Sequence, residues 1–185
     1  MSKEIRQKIV IIKKEMSEKK KRISSLKNEY LSLEEKYSVL QRELALTGVP
    51  VISVDLYYDK SDEFERTGGF ETEDFLDKRL DVNTSWDEGR RASLSVAIEG
   101  SHCAEYSMDE NPLDKICSGR VKFTYSVLID EVYESEVMDS PNNVQGLIYF
   151  FRAMHYVEDT HHCYLEGYEI KKENGISIVE FISGS

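Results

Sequence analysis

Histidine and cysteine, which commonly bind metal ions, are concentrated at two places in the sequence. These are His102-Cys103 and His161-His162-Cys163, and Cys117 provides one further thiol. Four ligands of these types would suit zinc. The groups contain no CxxC or finger-type spacing, however, and in a strand His162 points away from His161 and Cys163. We therefore expect no metal site and no cofactor, with buried thiols and half-exposed imidazoles; a zinc site is the alternative.

Two further patterns resemble catalytic groups. His155 falls on the apolar face of a predicted helix, and we interpret it as a core histidine rather than a general base. Glu169 and Lys171 have the Glu-x-Lys spacing of metal-dependent nucleases, with Asp130 as a second carboxylate. That tripeptide is common, and the acidic sequence around it would repel nucleic acid. Because GxSxG, HExxH and phosphate-binding glycine-rich motifs are also absent from the sequence, we predict that the protein is not an enzyme.

The first 46 residues have the alternating three- and four-residue apolar spacing of a coiled coil. Eleven of the twelve positions are apolar, and no glycine or proline occurs before Gly48. We call these positions the seam, and they are Ile5, Ile9, Ile12, Met16, Lys19, Ile23, Leu26, Tyr30, Leu33, Tyr37, Leu40 and Leu44. A helix of about 60 Å is longer than a roughly 30 Å domain, so the seam requires a partner helix rather than the chain's own domain.

The charges beside the seam favour a homodimer with antiparallel helices. In a fully overlapped antiparallel pair, four of the six facing pairs attract, Lys8 with Glu43 among them. In a parallel pair, three of five repel. The antiparallel alignment also sets Lys19 over the ring of Tyr30. Each exposed pair contributes only about 0.3–0.5 kcal/mol, so a parallel assembly and an acidic heterologous partner are the alternatives.

Charge is divided unevenly along the chain, whose net charge is −11. Residues 1–46 hold twelve Lys/Arg and seven Asp/Glu, whereas residues 47–185 hold twelve and 28. Gly48 and Pro50 mark the break, which predicts a coiled-coil helix over residues 1–46 and an acidic domain over residues 47–185. The basic run near Lys19 has no interleaved aromatic residues, so we do not expect nucleic-acid binding. An acidic domain favours a basic protein as its partner.

The acidic domain has the pattern of an α+β fold. Alternating apolar residues predict strands over residues 49–58, 94–98, 121–129, 163–172 and 176–183. The last two flank Asn174-Gly175, a strong hairpin signal. Between the strands at residues 121–129 and 163–172 we predict a helix with Ser140 as N-cap and Pro141 as its first residue. The prediction is therefore one antiparallel sheet with a packed helix and a C-terminal hairpin.

Two segments of this domain suggest exposed surfaces. The acidic residues 59–77 lack the glycine and ligand spacing of a calcium loop and predict a solvent-exposed segment. Within the acidic residues 68–82 we expect a short helix at residues 75–80. In the main helix, five consecutive apolar residues, 147–151, cannot share one face. Tyr149 and Tyr156 lie roughly opposite the apolar face. They are our candidate partner-binding residues, and internal packing under another element is the alternative.

Composition and cysteine content complete the functional hypothesis. With 40% apolar and 32% charged residues, the chain is too apolar for disorder and too polar for a membrane protein. The three cysteines lack the spacing of a disulfide framework, which predicts reduced thiols and a cytoplasmic protein. The N-terminus has no apolar stretch, so we expect no signal peptide. We hypothesise a self-associating adaptor that binds a partner protein through its acidic domain. The alternative is an immunity- or inhibitor-type protein that imitates nucleic acid and neutralises a basic target.

Overall fold

The fold is given by a computed structural model that describes residues 3–58, 64–71, 86, 88–128 and 131–185. It has two compact units, Met1–Leu40 and Gln41–Ser185. The first unit is helical, and the second contains the end of that helix, a sheet and a second helix. The α+β class is therefore confirmed. The functional division into residues 1–46 and 47–185 stays a prediction.

The first element, α1, is a 45-residue α-helix over Lys3–Thr47. Its sequence is rich in Lys, Glu and Leu, which favour helix, and the predicted long helix is confirmed. The helix ends at Gly48, whose N–H donates to the carbonyl oxygen of Leu44 at 2.6 Å. A Cβ atom at position 48 would lie 2.6 Å from the same oxygen. Only glycine allows this close approach, so the glycine at position 48 determines where α1 ends.

The strands of the described residues form one nine-stranded sheet. In chain order the elements after α1 are β1 (Val51–Tyr58), β2 (Phe64–Glu71), β3 (Arg90–Ala97), β4 (Ala104–Met108), β5 (Arg120–Leu128), β6 (Glu131–Glu134), β7 (Met138–Asp139), α2 (Asn143–Tyr156), β8 (Tyr164–Glu173) and β9 (Ile176–Gly184). The strand order is β2-β1-β3-β4-β8-β9-β5-β6, and β7 also pairs with β5. The five predicted strands correspond to β1, β3, β5, β8 and β9.

The sheet is mixed, which differs from the antiparallel sheet that the sequence predicts. The β8–β9 hairpin is inserted between β4 and β5, and it meets both of them in parallel. Its two-residue turn has left-handed φ angles of 51° at Asn174 and 78° at Gly175, as expected for this turn sequence. The predicted hairpin is confirmed, whereas its parallel neighbours depend on long-range pairing, which local patterns do not encode.

Helix α2 packs against one face of the sheet, on β3, β4, β5 and β6. The inward face contains alternating buried residues, and the ring of Phe123 on β5 stacks on that of Phe181 on β9 at 5.0 Å. The predicted start of α2, with Ser140 as N-cap, is wrong. Asn142, not Ser140, is the N-cap, and it forms a reciprocal capping box with Gln145. Ser140 lies in the preceding turn with a left-handed φ of 48°, and Pro141 precedes the helix.

The acidic segment at residues 59–77 is only partly described. Strand β2 lies within it and pairs with β1 in antiparallel fashion, with a bulge at Val54 and Asp55. This part is therefore a strand at one edge of the sheet, which the sequence pattern did not indicate. The short helix predicted at residues 75–80 lies outside the described residues.

Candidate functional site

The seam residues of α1 are exposed along the whole helix. Their exposed fractions range from 41% at Ile9 to 66% at Ile23 among the apolar members, and Lys19 is exposed as well. A fully exposed Ile or Leu side chain gains about 1.5–3 kcal/mol when it is buried. The seam is therefore an apolar surface with a regular heptad spacing, which is the geometry of a coiled-coil interface.

The end of α1 is anchored in the second unit by Gln41, Arg42 and Ala45. Ala45 is completely buried in the core. The side-chain amide of Gln41 donates to the carbonyl oxygen of Gly100 at 2.6 Å. Arg42 donates to the carboxylate of Glu158 at 2.5 Å and to the backbone carbonyl of Tyr156. These contacts hold the last two turns of the helix against the globular part of the unit.

Anchoring and the seam use different faces of α1. At about 100° per residue, the side that carries Gln41, Arg42 and Ala45 lies about a third of a turn from the seam. Leu44, the last seam residue, is accordingly still 47% exposed. Within the second unit, the anchoring contacts therefore leave Leu44 exposed.

The two candidate partner-binding tyrosines have different surroundings. The ring of Tyr149 stacks on Phe123 at 5.4 Å, and its hydroxyl donates to the carboxylate of Glu136. Burial, and then the hydrogen bond to Glu136, raise the pKa of Tyr149. Tyr156 is 42% exposed and lies edge-on to Tyr133 at 5.6 Å. Tyr149 is thus mostly packed inside, whereas Tyr156 lies at the surface, and partner binding by the pair stays a prediction.

Tyr156 also belongs to the anchor. The guanidinium of Arg42 lies over the Tyr156 ring at 5.5 Å from its centre, while the same side chain reaches the backbone carbonyl of that residue. Arginine and tyrosine therefore stack between α1 and the end of α2. An outside partner that contacted Tyr156 would contact this junction as well.

The histidine and cysteine groups do not form a cluster suited to a metal ion. In the part of the chain that the structure describes, no three His, Cys, Asp or Glu side chains come together in this way. All three cysteines are free thiols. The thiol of Cys103 lies 3.8 Å from a carboxylate oxygen of Glu105, and burial, followed by that carboxylate, raises its pKa. This thiol is therefore a weak nucleophile.

His155 has the surroundings of a core histidine. Its Nε2 lies 3.1 Å from the carbonyl oxygen of His102, and because a carbonyl only accepts, this nitrogen carries the proton. Its ring meets that of Phe151 at 4.7 Å. Burial lowers the pKa of His155, which favours the neutral ring. The geometry agrees with the core interpretation and joins α2 to the loop before β4.

A buried carboxylate that no sequence pattern identified lies in the loop between α2 and β8. Asp159 Oδ2 accepts from the hydroxyl of Tyr125 at 2.6 Å and lies 2.9 Å from His162 Nδ1. Its Oδ1 accepts from the backbone N–H groups of His161 at 3.0 Å and His162 at 3.2 Å. Burial alone would raise the pKa of Asp159, but these hydrogen bonds outweigh it and hold the pKa below its usual value.

This cluster resembles a catalytic arrangement, but within the described residues the only side-chain hydrogen bond of the His162 imidazole is with Asp159. The hydroxyl of Ser183 hydrogen-bonds that of Tyr125 at 3.0 Å. Covalent catalysis needs a nucleophile in contact with the base. The arrangement instead joins β5, β9 and the loop. A local signal did exist, because aspartate commonly accepts from backbone N–H groups two or three residues on, but Tyr125 is 34 residues away.

The Glu-x-Lys pattern forms surface ion pairs on the C-terminal hairpin. Lys171 Nζ lies 3.6 Å from a carboxylate oxygen of Glu169 and 3.2 Å from one of Glu180. All three side chains are substantially exposed. Asp130, the proposed second carboxylate, lies outside the described residues. Lys171 therefore pairs with Glu169 along its own strand and with Glu180 diagonally across the hairpin, which is an ordinary surface arrangement of opposite charges.

No protein-family model matches the chain, and no curated protein matches it. In the described residues, no helix is both long enough and apolar enough to cross a membrane. Among the described residues, the seam of α1 is an exposed apolar surface with regular heptad spacing.

Proposed function

We propose that the protein is a non-enzymatic, self-associating adaptor. Its α1 seam pairs with a second copy of the chain, and its acidic second unit recognises another protein. The observation that carries the proposal is the exposed heptad seam, whose last residue, Leu44, stays exposed among the anchoring residues of α1. The short contacts of Arg42 with Glu158 and of Gln41 with Gly100 support it, because they fix the helix without covering Leu44.

The energetics of the seam support association. Eleven apolar side chains on each helix face water, and full burial of such a side chain is worth about 1.5–3 kcal/mol. If each recovers half of that on pairing, the gain from two helices exceeds the roughly 4–15 kcal/mol cost of association. A second copy has the same heptad spacing, so it can cover the seam along its whole length.

The charge of the chain supports a basic protein as the partner of the second unit. Residues 47–185 carry 28 Asp/Glu and twelve Lys/Arg. The same charge favours the alternative function, a neutralising protein of the immunity or inhibitor type that imitates nucleic acid. Such surfaces steer association, so the association rate with the target should fall at least tenfold between low and high salt. A rate that does not depend on salt contradicts the neutralising function.

We also propose that the protein acts in the cytoplasm. The three cysteines are free thiols, which suits a reducing compartment. Fractionation of cells that produce the full chain tests the location, and recovery from an oxidising compartment with these thiols paired would contradict it.

Light scattering of the full chain tests self-association. We expect the mass of a dimer. The double substitution Leu26→Asp and Leu33→Asp places charge in the seam and should give a monomer. Its matched control is Ser24→Asp and Ser32→Asp, which adds the same charge to the same helix away from the seam and should leave a dimer. Circular dichroism verifies that both variants stay helical. A monomeric full chain would contradict the proposal and leave the seam to a different protein.

A further inference from the structure

We infer that the second copy lies antiparallel on the seam, with Lys19 of each copy over Tyr30 of the other and Ile5 opposite Leu44. This inference rests on the proposed self-association and adds the orientation of the partner. It follows from the seam's single polar residue, from the charges beside the seam and from the face that anchors α1.

Lys19 is the residue that distinguishes the two orientations. It occupies a d position of the heptads, where a parallel pair places it against the same residue of the second copy. Two ammonium groups would then share an apolar layer, which is costly. In the antiparallel pair, each Lys19 faces an aromatic ring instead of another ammonium group.

Tyr30 has surroundings that favour a contact with the Lys19 ammonium group. Its ring is 60% exposed on the seam, and its hydroxyl is hydrogen-bonded to Glu34, one turn further along the helix. The ring and the carboxylate therefore lie together on the helix surface. A lysine placed over the ring gains a cation–π contact, and the nearby carboxylate adds attraction. Symmetry provides this contact twice in each dimer.

The flanking charges agree with the same alignment. The facing pairs are Lys8–Glu43, Lys13–Glu34, Glu15–Lys36 and Arg22–Glu29, which attract, and Lys20–Lys27, which repels. Gln41 also flanks the seam in sequence, but its side chain is bound to Gly100. Such exposed pairs are individually weak, but they select orientation because the parallel alignment replaces most of them with repulsions.

The anchored end of α1 accommodates the partner's first turns. The anchoring side chains Gln41, Arg42 and Ala45 are directed into the second unit, whereas Glu43 and Leu44 are exposed. The partner's Ile5 can therefore pack on Leu44 without displacing the anchor. The anchored ends of the two copies then lie about 60 Å apart along the helix pair, given a rise of 1.5 Å per residue.

Disulfide trapping in the full chain tests the orientation. Cys103, Cys117 and Cys163 are first replaced by serine, and Ile9→Cys and Leu40→Cys are then made in separate chains of different tag length. The two chains are mixed, allowed to exchange, and oxidised with a mild copper catalyst. We expect a mixed disulfide between positions 9 and 40 in the mixture and no dimeric disulfide in either chain alone. Thermal melts verify that both chains fold.

The outcomes separate the orientation from self-association. A disulfide in the Ile9→Cys chain alone, or no mixed disulfide while light scattering gives a dimer, overturns the antiparallel arrangement but not the proposed function. A monomeric mass overturns both. As a second measurement, Lys19→Leu removes the residue that opposes the parallel pair and should allow a 9–9 disulfide to appear. Its control, Lys21→Leu on the outward face of the helix, should leave the 9–40 disulfide dominant.

Discussion

Asp159 holds the loop between α2 and β8 against the sheet through one carboxylate. Its oxygens accept from the Tyr125 hydroxyl and from two backbone N–H groups, and one of them lies 2.9 Å from Nδ1 of His162. An ionised carboxylate that is buried without such partners would be costly. The contacts therefore make the charged form the stable one and link β5 to a loop that is distant in sequence.

We predict that Asp159→Asn destabilises the second unit by about 1–3 kcal/mol. The amide keeps one oxygen that can accept hydrogen bonds. Its NH₂ group, however, replaces the second carboxylate oxygen and would face hydrogen-bond donors instead of accepting from them. Urea unfolding of the full chain, followed by tyrosine fluorescence, measures the change. Asp114→Asn is the control, because Asp114 is exposed, and it should stay within about 0.5 kcal/mol of the parent.

The same carboxylate predicts a stability that decreases in acid. Since the folded pKa of Asp159 is held below its unfolded value, its contribution is complete above the unfolded pKa of about 3.9. The contribution is lost as the pH falls through the folded pKa. Between about pH 5 and pH 2, the parent chain should therefore lose more stability than Asp159→Asn does. Equal losses in both chains would contradict this role.

Gly146 shows how closely α2 approaches its neighbours. A Cβ atom there would lie 2.6 Å from Ile116 Cδ1 and 2.6 Å from the hydroxyl of Tyr168. Alanine favours helix over glycine by roughly 1 kcal/mol, but such an overlap in a packed core costs about 1–3 kcal/mol. We therefore predict that Gly146→Ala lowers the melting temperature by a few degrees. Gly167→Ala, where a Cβ atom would have no neighbour within 4 Å, should not lower it.

At the scale of elements, the anchoring residues of α1 and its proposed association seam lie on different faces. Ala45→Gln should destabilise the second unit by about 1–3 kcal/mol, because a polar side chain would replace a fully buried methyl group. It should leave the dimer intact, since the seam lies on another face. Ser38→Gln, one heptad earlier and exposed, is the control. Hydrogen exchange and light scattering measure the two effects, and a monomeric Ala45→Gln variant would show that the faces are not independent.

The sequence predicts these elements where the pattern is local. Alternation revealed β1, β3, β5 and the C-terminal hairpin, and the heptads revealed α1. The N-cap of α2 was misplaced because two signals competed. Ser140 followed by Pro141 suits a helix start, but Asn142 with Gln145 three residues later forms the capping box that is present.

What could not be predicted depends on contacts between distant residues. The parallel pairing of β4 with β8 joins Glu105 to Tyr164, and Asp159 meets Tyr125 across 34 positions. Neither has a periodic signature. The seam, in contrast, is a local repeat that the sequence alone predicts, and its role in association stays a prediction. The anchoring face of α1 depends on the long-range contact between Arg42 and Glu158.

At the scale of the whole molecule, the anchor determines how the chain can be divided. A cut at residue 47 matches the change in composition, but it removes Gln41, Arg42 and Ala45 from the unit that they stabilise. A fragment of residues 41–185 retains them. We predict that both fragments are monomeric, because each lacks nearly all of the seam.

The two fragments should differ in stability rather than in mass. Residues 47–185 lose the burial of Ala45 and the hydrogen bonds of Gln41 and Arg42, which together are worth about 2–3 kcal/mol. Urea titration should therefore give a lower midpoint for residues 47–185 than for residues 41–185 at equal slope. Equal midpoints would mean that the contacts of the last helical turns do not stabilise the unit. A dimer of residues 41–185 would place self-association in the sheet domain, and the adaptor would then need no coiled coil.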